Sequence, residues 1–206
     1  MTTYEDQYYL VNKKYDENTL YLKPTKNTAK RDFHLKKIPH GEEPLFFENA
    51  YKENDKKNGI SRPLRKAMMW STDLLVDGKI KEDLEQYDIN GLQLYPAVVI
   101  DDNGDYHEDY WFFNIYKELD ALDINQSEID DYSPSNKYHD VEKFKLKADI
   151  LDQIKEENRL IFIMPNTDLM TIIAHQKIVD IFNKHDVDSV VFHKMSEWYA
   201  GKQFRK

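Results

Sequence analysis

The sequence predicts an α+β fold, in which a mostly antiparallel, twisted sheet packs against helices. The first observation is that residues 91–123 hold two apolar and aromatic runs on either side of an Asn-Gly pair. Because Asn103 and Gly104 both tolerate positive φ, such a pair is the strongest short signal for a β-hairpin. The second observation is that strand-like apolar runs elsewhere alternate with segments whose apolar residues recur at helical spacing.

The two strands of this hairpin follow from residue type. Leu92, Leu94 and residues 98–100 carry branched or large apolar side chains, which favour a half-buried or buried strand. Pro96 stands between them, and because proline cannot donate to a ladder it predicts an edge, a bulge or a break. The chain is expected to return through the aromatic residues of the segment 106–115.

The N-terminal part predicts short strands joined by loops. Strands are expected at residues 8–11 and 19–22, because both runs combine tyrosine with large apolar residues. The polar residues 23–44 contain three prolines and predict a loop. Residues 45–47 form a short apolar stop, and residues 54–59 are expected to form a turn.

After this part, helical and strand-like segments alternate. The expected elements are a helix at 79–87, the hairpin, a continued strand or loop at 119–123, a polar loop at 125–140, a helix at 149–157, a buried strand at 160–164, a helix at 168–185 and a last strand at 190–192. Residues 196–206 are expected to form a tail that docks through its aromatic side chains.

Two segments of the chain echo each other. Residues 88–95 and residues 186–193 both end a predicted helix, pass through a polar turn and open an apolar strand. A duplicated helix-turn-strand unit would produce this echo. The same motif is also common in unrelated segments, so chance is the alternative.

Length and composition bound the class of protein. A chain of 206 residues is suited to one domain spanning 1–206, or to one domain with a small appendage. There is no cysteine, which excludes disulfides and thiolate sites and is consistent with a reducing cytoplasm. Because the N-terminus lacks a basic region followed by an apolar one, and because no apolar run approaches 18 residues, we expect neither a signal peptide nor a membrane span.

Acidic residues are concentrated in one segment. Residues 101–131 hold eleven acidic side chains and one basic side chain, a charge of −10, whereas the whole chain carries −9. This segment is either a solvated surface or a binding surface for a basic partner. The acidic balance argues against nucleic acid as the main partner. The candidate binding residues are Asp101, Asp102, Asp105, Glu108, Glu128, Asp130 and Asp131.

Catalytic and cofactor motifs are mostly missing from the sequence. Residues 101–105 begin like a calcium loop, but Tyr106 occupies the position that requires glycine and Phe112 the position that requires glutamate. No dinucleotide-binding motif, phosphate-binding loop or serine nucleophile elbow is present. A metal-dependent hydrolase that uses His107, Glu108 and Asp109 remains an alternative, and no cofactor is predicted.

Three motifs resemble a known family. They are Gly-Leu-Gln-Leu-Tyr-Pro at 91–96, Asp-Tyr-Trp-Phe-Phe-Asn-Ile at 109–115 and Leu-Asp-Ala-Leu-Asp at 119–123. The chain resembles the bacterial immunity proteins of polymorphic-toxin systems, a family first described as a domain of unknown function and named after a myxobacterial member. The resemblance covers residues 70–195, and residues 1–60 lie outside it.

This resemblance implies a cytoplasmic protein that binds and neutralises a toxin, including toxins delivered by type VI secretion or another contact-dependent route. It implies no catalytic residue, and it suggests that Tyr110, Trp111 and Asn114 maintain the fold. The acidic segment would then oppose a basic toxin domain and occlude its active site. A second alternative, besides the hydrolase, is an adaptor protein of a secretion apparatus.

Overall fold

The computed structural model describes residues 3–16, 18–130, 132–167 and 170–204. The strands in these ranges are β1 (Tyr8–Lys13), β2 (Leu22–Pro24), β3 (Leu45–Asn49), β4 (Ala67–Trp70), β5 (Asp73–Asp77), β6 (Leu92–Ile100), β7 (Tyr106–Ile115), β8 (Glu128–Asp130), β9 (Asp140–Lys143), β10 (Ile161–Ile163), β11 (Ile172–His175) and β12 (Val190–Lys194). The α-helices are α1 (Lys52–Asn58), α2 (Gly78–Leu84), α3 (Ala148–Asp152) and α4 (Gln176–Lys184).

The α+β prediction is confirmed, because the strands form two main sheets beside helices. The larger sheet has the order β2-β3-β6-β7-β5-β4, and its neighbours are antiparallel except for the parallel pair β3 and β6. Its edge strands β2 and β4 contact each other, so this sheet curls. The smaller sheet is antiparallel with the order β10-β11-β1-β12, and β8 and β9 form a separate ribbon.

The central core is shared by the two sheets and two helices. One face of each sheet contributes to it, and so do the buried faces of α2 and α4, which contact each other. Its members include Val11, Met69, Val76, Ile80, Leu84, Phe113, Ile161, Ile172, Ile178 and Phe182. Because successive side chains of a strand point to opposite faces, the residues between these core residues lie on the other face of each sheet and need a separate cover.

Both opposite faces are covered by segments of the chain that lie outside the two main sheets. The outer cluster of the six-stranded sheet packs strand residues such as Phe47 and Phe112 against Phe33 and Ile38 of the N-terminal loop. The outer cluster of the four-stranded sheet packs strand residues against the segment 119–151. Strands buried on both faces have nearly continuous apolar sequences, as the run 160–164 does.

The predicted hairpin is present as β6 and β7, with a five-residue loop at 101–105. Gly104 has a φ of 95°, but Asn103 does not adopt positive φ. The loop is longer than a two-residue Asn-Gly turn because the Asp101 carboxylate accepts hydrogen bonds from the backbone N–H groups of Asn103 and Asp105. Pro96 does not break the strand, and the register shifts just after it, between Ala97 and Val99.

The strand expected at residues 19–22 is wrong in its first three residues. The Asp16 carboxylate accepts hydrogen bonds from the backbone N–H and the hydroxyl of Thr19, which holds this segment in a turn. The strand β2 therefore begins only at Leu22. The other N-terminal strand, expected at residues 8–11, is confirmed as β1.

Two further expectations for the N-terminal part are wrong. The apolar stop at residues 45–47 is the beginning of β3, which pairs with both β2 and β6 and is therefore interior to the sheet. The turn expected at residues 54–59 is the helix α1, which ends at Gly59 with a φ of 66°. The polar sequence hid this helix, because its inward face is a buried aspartate, Asp55, and not an apolar side chain.

The helix expected at residues 168–185 is wrong in its first half. Its first two residues lie outside the described part of the chain, Ile172–His175 forms β11, and α4 begins only at Gln176. Ile172 belongs to the central core and Ile173 to the opposite cluster, so they alternate as strand residues do. The polar loop at 125–140 likewise contains the strand β8, and α3 is shorter than the predicted helix.

The sequence echo corresponds to a repeated strand arrangement. In the six-stranded sheet, β4 and β5 form an antiparallel pair, α2 follows directly, and β6 lies one strand away from β5 with β7 between them. In the four-stranded sheet, β10, β11, α4 and β12 repeat this order, with β1 between β11 and β12. This shared topology is what a duplicated unit would produce, and duplication as its origin stays a prediction.

Gly91 and Gly104 provide a matched pair for testing the hairpin. Both have positive φ, but a Cβ at Gly91 would lie 2.2 Å from Lys117 Cβ, whereas a Cβ at Gly104 would meet no atom within 4 Å. We expect Gly104→Ala to lower the free energy of unfolding by about 1 kcal/mol through strain alone. Gly91→Ala should lower it by about 3 kcal/mol, because overpacking is added. Urea unfolding measures both, and equal losses would contradict the close approach at Gly91.

Candidate functional site

The acidic candidates in the hairpin differ in their bonding. Asp101 is engaged within the loop, and its Oδ2 lies 3.1 Å from His107 Nε2. This contact with His107 lowers the pKa of Asp101. Asp105 and Glu108 are exposed, and among the described residues their carboxylates have no hydrogen bond or ion pair. Of these candidates, Asp105 and Glu108 are therefore the most available to a partner.

Two further acidic candidates lie on a different layer of the fold. Glu128 and Asp130 belong to the β8–β9 ribbon, where Glu128 forms an ion pair with Lys143 at 2.7 Å. Ile129 packs on the outer cluster of the four-stranded sheet. The structure therefore attaches these residues to the four-stranded sheet and the hairpin loop to the six-stranded sheet. Asp131 lies outside the described residues.

Asn49, at the end of β3, connects the hairpin loop to α1. Its Nδ2 donates to the Asp102 carboxylate at 3.2 Å and to Asp55 Oδ2 at 3.0 Å, and its Oδ1 accepts a hydrogen bond from the backbone N–H of Tyr51 at 2.8 Å. Asp55 is buried and also accepts two hydrogen bonds from the Arg62 guanidinium, at 2.7 and 3.1 Å. This two-pronged ion pair fixes the carboxylate that orients Asn49.

An aromatic patch lies next to Asn49 and consists of Tyr15, Tyr21, Tyr51 and Trp70. The ring centroids of Tyr51 and Tyr21 are 5.7 and 5.8 Å from that of Trp70. Tyr15 is 44% exposed and Tyr51 is 43% exposed. Tyrosine and tryptophan often anchor protein–protein interfaces, so this patch has the composition of a binding surface.

Lys13 places a cation on this patch. Its Nζ lies 4.4 Å from the ring centroid of Trp70, 4.8 Å from that of Tyr21 and 5.0 Å from that of Tyr15, which is the range of cation–π contacts. Burial lowers the pKa of Lys13. Within the described residues, no hydrogen-bond acceptor or carboxylate is paired with this ammonium group.

A cleft of about 480 Å³ opens beside the aromatic patch. Tyr15 and Trp70 of the patch line the cleft, as does Lys13, so the patch forms one rim of the cleft. The rest of its lining comes from β1, the β4–β5 turn, and the segments 139–144, 167, 170–172 and 198–203. This volume lies in the range of ligand-binding sites in proteins.

The structure does not support the metal site considered for His107, Glu108 and Asp109. No group of three or more histidine, aspartate or glutamate side chains within the described ranges is placed to hold a metal ion. Neighbouring residues of β7 point to opposite faces, which separates Glu108 from the other two. His107 contacts Asp101, whereas the Asp109 carboxylate lies against Gly78 at the start of α2.

The motif residues of β7 attach other segments to the hairpin. Asn114 is buried and donates to the backbone carbonyl of Lys36 at 2.9 Å. The Tyr110 hydroxyl donates to the carbonyl of Arg65 at 3.1 Å, and burial raises the pKa of Tyr110 to about 12. These contacts hold the N-terminal loop and the segment before β4 in place, as expected of residues that maintain the fold.

A family model described as an immunity protein family, Imm11, matches residues 7–197 of the chain. The chain belongs to the Imm11 immunity protein family. The resemblance recognised in the sequence is thus confirmed, and the family region begins at residue 7 and not at residue 70, so it includes β1, β2, β3 and α1. No curated protein matches the sequence.

The function that this family name describes is protection against a toxin, and a toxin partner is a protein surface. In the described ranges of this Imm11 chain, no helix has the length and apolar character needed to cross a membrane.

Sequence reasoning missed the residues that make the site continuous. Asn49 and Tyr51 carry no motif, and Asn49 becomes important only because the fold places it between Asp55 and Asp102. The high tyrosine content, 14 residues, indicated an interface but not its position. The cleft was missed because its walls come from parts of the chain far apart in sequence.

Asp55→Asn tests the ion pair beneath this site. The Arg62 guanidinium lowers the pKa of Asp55, so the folded pKa lies below the unfolded one. The pair's contribution is therefore fully present above about pH 4 and is lost as the pH falls through the folded pKa. We expect the variant to lose roughly 3 kcal/mol of unfolding free energy at neutral pH, because the largely buried Arg62 guanidinium loses its charged partner.

Urea unfolding at pH 7 and near pH 3 measures the difference between wild type and variant. The difference should shrink at the lower pH, whereas the exposed control Asp149→Asn should be close to wild type at both pH values. A difference that is independent of pH would contradict the ionised pair.

Proposed function

We propose that this protein neutralises a cognate bacterial toxin by binding its toxic domain directly and occluding the active site. Membership in the Imm11 family over residues 7–197 is the observation that carries the proposal. The mode of action is that of a binder without catalytic residues, working in the cytoplasm. The toxin reaches that compartment through type VI secretion or another contact-dependent route.

The surface chemistry favours a basic toxin domain as the partner. Asp105 and Glu108 carry exposed carboxylates on the hairpin, and Asp102 lies beside them, bonded to Asn49. Such a cluster attracts a positively charged surface over a distance and increases the rate of encounter. Glu128 and Asp130 of the β8–β9 ribbon are further candidates for contact with the toxin, as is Asp131 in the sequence.

The arrangement also follows the usual anatomy of an interface. Stable interfaces place aromatic residues at the centre and charged residues at the rim. Asn49 bonds to Asp102 of the hairpin loop and to the backbone of Tyr51 in the aromatic patch. The acidic hairpin and the aromatic patch are therefore neighbours, and we propose that they bind the toxin together as rim and centre.

Co-expression tests the function itself. The probe is the C-terminal domain encoded immediately upstream of this gene, expressed in bacteria with and without the immunity protein. We expect growth to be rescued and a one-to-one complex to elute in size-exclusion chromatography. Rescue without a complex would indicate enzymatic reversal of the damage, and the absence of both would overturn the proposal.

Charge reversal tests the acidic hairpin. Asp105→Lys combined with Glu108→Lys should slow association with the same toxin domain by about tenfold at low salt and less at high salt, because rim charges act mainly on encounter. The matched control is Asp149→Lys with Glu157→Lys, which changes the net charge equally in and after α3. Stopped-flow or biosensor kinetics give the rates. Equal rates for both double variants would exclude the hairpin from the interface.

A further inference from the structure

The cleft beside the aromatic patch collects unpartnered polar atoms. Four buried side-chain atoms in the described part of the chain lack a hydrogen-bond partner, and three of them belong to residues that line the cleft: His139 Nδ1, Trp198 Nε1 and Gln203 Oε1. His139 is 7% exposed and Trp198 is 8% exposed. Buried polar atoms are normally paired, because leaving them unpaired costs free energy.

The fourth such atom has a different setting. His175 Nε2 lies 3.9 Å from Glu156 Oε2, and His175 does not line the cleft. The concentration of unpaired atoms is therefore a property of the cleft walls and not of the whole interior. No described protein group pairs with these atoms, so a partner that enters the cleft can supply their hydrogen bonds.

The unpaired atoms specify the chemistry of that partner. The indole N–H of Trp198 can only donate, Gln203 Oε1 can only accept, and His139 Nδ1 takes either role according to its tautomer. At the mouth, the Lys13 ammonium can donate further hydrogen bonds. A ligand that presents both carbonyl oxygens and N–H groups fits this set, and the main chain of a peptide is such a ligand.

The charges on the lining argue against an ionic ligand. Among the described lining residues, Lys13 is the only lysine or arginine and Asp140 the only carboxylate. A phosphate group is bound by clustered cations or by a row of backbone N–H groups, and the lining has one cation. The acidic hairpin also repels anions from this side of the molecule. The occupant is therefore an uncharged segment.

We propose that the cleft receives an uncharged main-chain segment of the toxin domain, whose peptide groups hydrogen-bond to Trp198 and His139. This inference rests on the proposed function and adds the site where the partner inserts. The aromatic patch then packs around the base of the inserted segment, and the hairpin carboxylates contact the surrounding basic surface.

The two ring nitrogens have no solvent contact in the free protein. The inserted segment must therefore displace side chains that now cover them. Rotamer changes of this kind are common when interfaces form. One consequence separates this site from an ordinary core: removing the polar atom should not destabilise the free protein but should weaken the complex.

His139→Leu and Trp198→Phe test the proposal with the upstream-encoded C-terminal toxin domain as the probe. Each should weaken binding by about tenfold, the effect of one lost hydrogen bond, measured by titration calorimetry. His139→Leu should leave the melting temperature of the free protein unchanged or raise it. His40→Leu is the matched control for His139→Leu, because His40 is exposed and does not line the cleft, and it should bind as wild type does.

The outcomes distinguish this inference from the proposed function. If wild type binds and both cleft variants bind equally well, the cleft is not the insertion site and toxin binding stands. If His139→Leu destabilises the free protein and Trp198→Phe binds as wild type does, the unpaired atoms serve the fold and the inference is overturned. If wild type neither binds nor rescues growth, the proposed function fails and this inference fails with it.

Discussion

The structure depends on one constraint: both main sheets are buried on both faces. The central core between them is filled by α2 and α4, and each outer face is covered by segments outside the two main sheets. Alternate residues of one strand belong to different hydrophobic clusters. A shift of a strand by one residue would therefore move its side chains from each cluster to the opposite face of the sheet. Asp83 reinforces this arrangement from α2, since it accepts hydrogen bonds from Lys184 and contacts His185 at the end of α4.

The burial of both faces of each main sheet determines where a binding surface can form. The sheet faces are occupied, so partner-accessible features lie at loop and strand ends, where β1, the β4–β5 turn and the β6–β7 hairpin meet. The buried pair of Asp55 and Arg62 gives this region a rigid base through Asn49. A charged pair in a protein interior contributes little net stability, but it orients its neighbours closely. Here the neighbours are Asp102 and Tyr51.

The proposed mode of toxin binding combines three kinds of interaction that act at different distances. Carboxylates on the hairpin act over several ångströms and affect encounter. The aromatic patch acts at contact and supplies area with little loss of side-chain entropy. The unpaired nitrogens of the cleft act only when a segment is inserted, so they distinguish a matching partner from a merely basic one.

The sequence by itself determined the local features: the α+β class, the β6–β7 hairpin, the acidic segment and the family to which the chain belongs. Each depends on neighbouring residues, such as an Asn-Gly pair between apolar runs or the aromatic motif 109–115. Only the tertiary structure decided that residues 172–175 are a strand, because β1 pairs with them from the other end of the chain. It also decided that Lys13, Trp70 and His139 line one cleft. Such sites depend on which distant segments pack together, and no local pattern of residues encodes that.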